Sequence, residues 1–99
     1  MLDPLKSSDF TPFLHQPFCI HLDGIEPIQL EMVSVIESDQ GANPGVRRSF
    51  SIHFLGPASS QYLIQHIYRL EHDQMGVLDL FLVPLGPQEG RMRYEAIFN

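Results

Sequence analysis

Five histidines, His15, His21, His53, His66 and His72, are the residues of this chain best suited to chemistry. Imidazole serves both as a metal ligand and as a general base near neutral pH. None of the five forms an HxH pair or an HExxH signature, and the single cysteine, Cys19, cannot complete a structural zinc site. His21 and His53 fall on the outward faces of two expected strands and would be neighbours if those strands paired. A metal or acid–base pair is the chemistry that would follow; scattered surface histidines are the plainer reading. His72 is expected to face inward beside a glycine turn, where an imidazole caps the turn by hydrogen bonding to backbone.

Two carboxylates, Glu71 and Asp79, are predicted to oppose each other on the outer face of one hairpin. Like charges directly opposed destabilise a sheet, and Arg69 is the neutraliser at hand. A glycosidase-like pair needs a cleft around it, and calcium wants ~6 oxygen ligands, more than two carboxylates supply. No serine lies in a GxSxG elbow, and no GxGxxG or Walker loop is present. Cys19 reads as an inert mid-strand thiol with no cation beside it. The residues therefore predict neither an enzyme nor a cofactor.

The elements that must position these side chains are strands. Ser7, Ser8 or Asp9 can cap a short helical turn through Phe10–Leu14, with Phe10, Phe13 and Leu14 plugging one end of a core. Phe18–Leu22 alternates as a first strand. A second runs from about Pro27 to Glu37, and its apolar parity slips at Met32-Val33, which predicts a β-bulge near Met32–Ser34. Apolar matching favours a Gly24–Glu26 loop that sets Ile20 opposite Leu30 and Phe18 opposite Met32. Ser38–Val46 reads as a surface loop. Ser49–Leu55 is a third strand, broken by Gly56-Pro57, and Ala58–Gln65 is a crossover that covers a barrel mouth.

From Ile67 onward the chain reads as a three-stranded meander. A Gln74–Gly76 loop, with Gly76 left-handed, would pair Leu70 with Leu80 and Tyr68 with Leu82. Met92–Phe98 turns Met92, Tyr94, Ala96 and Phe98 to one face. Leu80–Leu85 is apolar on both faces, so that strand is central or its outer residues, Phe81, Val83 and Leu85, meet a partner. The fold class is all-β: one small antiparallel barrel or sandwich of about six strands with a short N-terminal helical turn, spanning residues 1–99 as a single domain.

Composition narrows the function classes. Ninety-nine residues at 43% hydrophobic suit one disulfide-free core. A net charge of −6 with a single lysine argues against binding phosphate backbones. The first ten residues lack a signal-peptide h-region, and no apolar run approaches the ~20 residues of a membrane span. The expected setting is the cytoplasm, or export only as part of an assembly.

The chain also resembles a family of small uncharacterised bacterial proteins, a domain of unknown function. The resemblance rests on Phe10, on F-x-I-H-F-L-G-P at Phe50–Pro57, and on Gln65, Tyr68–His72, Met75-Gly76, Leu80–Gly86 and Tyr94–Asn99. It covers nearly the whole chain, apart from the Ser38–Val46 loop. It implies a small β-rich domain with no assigned activity or cofactor, and a loose association with phage-tail-like or secreted assemblies. The leading expectation is a non-enzymatic protein-interaction module that recognises another protein or itself. The alternatives are a carrier of an apolar small molecule, and a metal or hydrolytic protein built on His21 and His53.

Overall fold

In a computed structural model, which describes residues 5–37, 49–58 and 62–98, six antiparallel strands close into a barrel. A four-residue helix, α1 (Ser7–Phe10), and a single 3-10 turn (Thr11–Phe13) precede them. The strands are β1 (Pro17–Ile20), β2 (Ile28–Glu37), β3 (Phe50–Ala58), β4 (His66–His72), β5 (Gly76–Gln88) and β6 (Arg91–Phe98). Around the barrel they run β1-β2-β3-β6-β5-β4. Barrel rather than sandwich is thus the observed closure, an alternative that strand parity leaves open because both architectures alternate inward and outward residues.

Alternation builds the interior. Phe18 and Ile20, Leu30 and Met32, Ile52 and Phe54, Leu70, Leu82 and Tyr94 all point inward and are buried. Asp9 starts α1 by accepting the Lys6 backbone N–H at 2.8 Å. The helix then delivers Phe10 onto Phe50 and Phe98, whose rings stack at 4.6 Å. This is the expected plug at one end of the core. The bulge expected near Met32–Ser34 is present as a register shift between those residues.

Three local expectations are corrected. Ile20 pairs with Ile28 and Phe18 with Leu30, two residues from the predicted register. Tyr68 likewise pairs with Leu80 and Leu70 with Leu78. A slip of two keeps every side chain on its face, so apolar pattern cannot distinguish these registers; turn chemistry does. The His72 ring accepts the amides of Gln74 and Met75 at 3.1 and 3.2 Å, which closes the turn at His72–Gly76, with Gly76 left-handed as expected (φ 79°).

Gly56-Pro57 does not end the third strand. β3 continues to Ala58 across a register shift, and the Arg91 guanidinium donates to the carbonyl of Gly56, which the shift leaves without a ladder pair, and to that of Leu55. The strand passes because Gly56 has no side chain: a Cβ there would lie 3.2 Å from the Tyr94 ring. Of the Ala58–Gln65 crossover, residues 59–61 lie outside the described residues, and Tyr62–Ile64 are irregular. The Ser38–Val46 loop also lies outside them.

Candidate interaction surface

The histidines are dispersed over the barrel. His21 follows β1 and sits 3.8 Å from Glu71, whereas His53 lies on β3; the two strands flank β2 on opposite sides, so the proposed pair is not formed. His53 belongs to a half-buried outer-face network. Its Nδ1 accepts the Arg93 Nε–H at 2.8 Å, which leaves the proton on Nε2 to reach Glu95 at 2.9 Å. Arg93 in turn donates to Gln88 and to Ser34 Oγ. With both nitrogens engaged, His53 is arranged as a structural link rather than as a free base.

His72 is equally committed. It is 5% exposed, lies between the Phe13 and Phe18 rings at 4.6 Å, accepts two turn amides on Nδ1 and reaches Gln16 Oε1 at 2.8 Å through Nε2. Glu71 and Asp79 do not face each other. In the observed register Asp79 opposes Arg69, and the two form an ion pair at 3.1 Å, while Glu71 opposes Val77. Among the described residues no group of three or more His, Cys, Asp or Glu is placed to hold a metal ion.

Four groups among the described residues are electrostatically perturbed, and one of them, Arg69, is raised by its hydrogen bond to Asp79. Hydrogen bonds from Arg91 and His15 hold the Glu31 carboxyl below its ordinary value. Burial pushes the Tyr68 and Tyr94 phenols up. These tyrosines pin the crossover: Leu63 N–H donates to the Tyr94 hydroxyl at 2.8 Å, and the Tyr68 hydroxyl donates to the Ile64 carbonyl at 2.7 Å.

The outer surface of the barrel carries the arrangement that the polar groups lack. Ile67 pairs with Phe81 on β4 and β5, Ser51 pairs with Ile97 on β3 and β6, and Ile36 of β2 pairs with Ser51. Phe81 and Ile97 each stand two residues past the Val83–Glu95 pair, the last in which β5 and β6 are bonded among the described residues. The outer face therefore carries one broken row: Ile67 and Phe81 across β4 and β5, then Ile97, Ser51 and Ile36 across β6, β3 and β2, interrupted where β5 and β6 are not paired. The four apolar members, Ile67, Phe81, Ile97 and Ile36, are 59%, 48%, 60% and 47% exposed. Scattered exposed apolar residues are ordinary; two such groups on one face are not scattered.

Of the three residues singled out by the two-faced pattern of β5, only Phe81 lies in this row. Val83 is half-buried beside Glu95, and Leu85 belongs with Tyr62, Pro87 and Met92 in a cleft at the barrel mouth. A register shift between Pro84 and Gly86 separates them. Sequence reasoning missed Ile36, Ile67 and Ile97 as members of the row. Each breaks its strand's pattern by being apolar on the polar face, a signal that gains meaning only once the pairing register is known.

No helix among the described residues is long and apolar enough to cross a membrane. No curated protein and no solved structure matches the chain. A family profile does, over residues 5–98, and by that match the chain belongs to the domain of unknown function DUF6916.

Proposed function

We propose that this barrel is a non-enzymatic protein-interaction module that docks a partner protein on the outer row Ile67, Phe81, Ile97 and Ile36. The observation that carries the reading is that broken row: four large apolar side chains about half exposed, set in register within β4–β5 and within β6–β3–β2. Beyond Val83–Glu95 the β5 and β6 ladders part, so this stretch of β5 is bonded to β4 alone and leaves backbone groups open to a docking strand. The partner is a different protein carrying net positive charge, since the chain's −6 opposes its own approach to a second copy. The carrier reading is weaker because large apolar side chains fill the interior, nine of them fully buried among the described residues.

Photo-crosslinking inside the source cells tests the reading. A benzophenone side chain at position 81 or 97 is expected to yield one discrete adduct with a second protein. The same group at Gln29, on another part of the barrel wall, is expected to yield none. Identical adduct patterns from all three positions, or no adduct at 81 and 97, would refute the proposal. An adduct with a second copy of the chain would replace the partner with self-association.

A further inference from the structure

The barrel mouth on the side of the β1–β2 and β5–β6 turns carries a separate feature. Two clefts, of about 340 and 610 Å3, open there and share one wall, Tyr62. The first is lined by Ile25, Ile28, Pro57 and Glu26, and the second by Pro84, Pro87 and Met92. The shared wall is firmly mounted. Leu63 next to it is buried, and the two tyrosine hydroxyls bind the Leu63 N–H and the Ile64 carbonyl. Tyr62 itself remains exposed between the two clefts. The result is an aromatic ridge flanked on each side by proline and aliphatic walls.

The charge around this mouth has one sign. Asp23 and Glu26 lie in the β1–β2 turn and Glu89 in the β5–β6 turn, all exposed, and among the described residues none has an ion-pair partner. The nearby Arg91 does not offset them, because its guanidinium is occupied by Glu31 and the Leu55 and Gly56 carbonyls. Three free carboxylates therefore border an apolar, aromatic surface.

We infer that this mouth binds an extended polypeptide segment that combines proline or aliphatic residues with at least one lysine or arginine. The apolar residues sit in the clefts on either side of Tyr62, a mode that suits extended, proline-bearing chains because they present side chains at low entropic cost. The cation is held by the Glu26 and Glu89 carboxylates and by the face of Tyr62. The same acidic rim repels nucleic acid and anionic membranes, which leaves a basic peptide as the occupant of matching charge.

Selection of a random-peptide phage library on the immobilised full chain tests this inference. Enriched sequences are expected to combine proline or aliphatic residues with lysine or arginine. A synthetic consensus peptide should bind the chain more weakly as salt is raised. Its affinity should fall about tenfold or more in Tyr62→Ala and in the Glu26→Gln/Glu89→Gln double variant. Circular dichroism serves to show that both variants stay folded; the double variant, with exposed side chains, is the one least able to disturb the fold. Phe81→Asp should leave this binding unchanged, so the mouth and the outer row can fail independently. No enrichment, an acidic or uncharged consensus, or undiminished binding by both variants would overturn the inference.

Discussion

At the scale of single residues, the polar side chains that first suggest chemistry are consumed by structure. His72 is the clearest case, because its ring fills the space between Phe13 and Phe18 and satisfies two amides of the turn. His72→Ala would leave those amides without their acceptor and a void between the rings. Its expected cost is about 2–4 kcal/mol, seen as a lower urea midpoint with an unchanged slope. The inward position and turn-capping role of His72 were legible from strand parity and the adjacent glycine. The Arg93–His53–Glu95 link was not, because His53 lies about 40 residues from Arg93 and Glu95 in sequence and meets them only through the β3–β6 register.

The ionisable groups at the barrel ends give a second residue-scale prediction. Burial raises Tyr68 and Tyr94, so the folded state holds their protons more tightly than the unfolded chain does. Their contribution to stability is complete below the ordinary phenol value of 10.0 and is lost as pH rises through the higher folded values. Glu31 works in the opposite direction. Held down by Arg91 and His15, it contributes above 4.5 and loses that contribution as pH falls through its lower folded value. Urea midpoints measured against pH should therefore form a plateau that declines at both ends. A Tyr68→Phe/Tyr94→Phe variant should show a shallower alkaline decline, and an identical one would remove burial of these phenols as its cause.

Among the elements, strand identity and facing were legible because apolar alternation is a property of each strand alone. Register was legible only to within two residues, since both hairpins satisfy the alternation equally well when slipped by two. The strand through Gly56-Pro57 was missed because a glycine–proline pair ends most strands, and the Gly56 carbonyl it strands is satisfied by a side chain distant in sequence, Arg91. Gly56 tests that account. Gly56→Ala places a methyl group 3.2 Å from the Tyr94 ring, so it should cost about 1–2 kcal/mol by the same urea measurement. A neutral result would mean that Tyr94 and the crossover yield freely. The seam between β1 and β4 rests on two pairs, Cys19–Glu71 and Ile20–Leu70, against seven between β4 and β5. Amides of β1 facing this seam should exchange with deuterium before those of β3 and β6.

For the whole molecule, function follows from what the closed barrel leaves outside. The interior is filled, the histidines are tied into hydrogen bonds or ion pairs or lie on the surface, and the large exposed apolar residues, Val77 apart, fall on the outer row or around one mouth. Sequence pattern pointed to β5 as two-faced and so to Phe81. It could not separate Phe81 from Leu85, because the bulge at Pro84–Gly86 and the neighbouring strands decide which surface each joins. The outer row is the central claim, and affinity capture from source cells tests it most directly, with wild type, Phe81→Asp and Gln29→Asp run side by side. Phe81 and Gln29 are both exposed, so neither change should disturb the core. The expected result is a stoichiometric partner recovered with wild type and with Gln29→Asp, and lost with Phe81→Asp. Retention of that partner by Phe81→Asp would contradict the account.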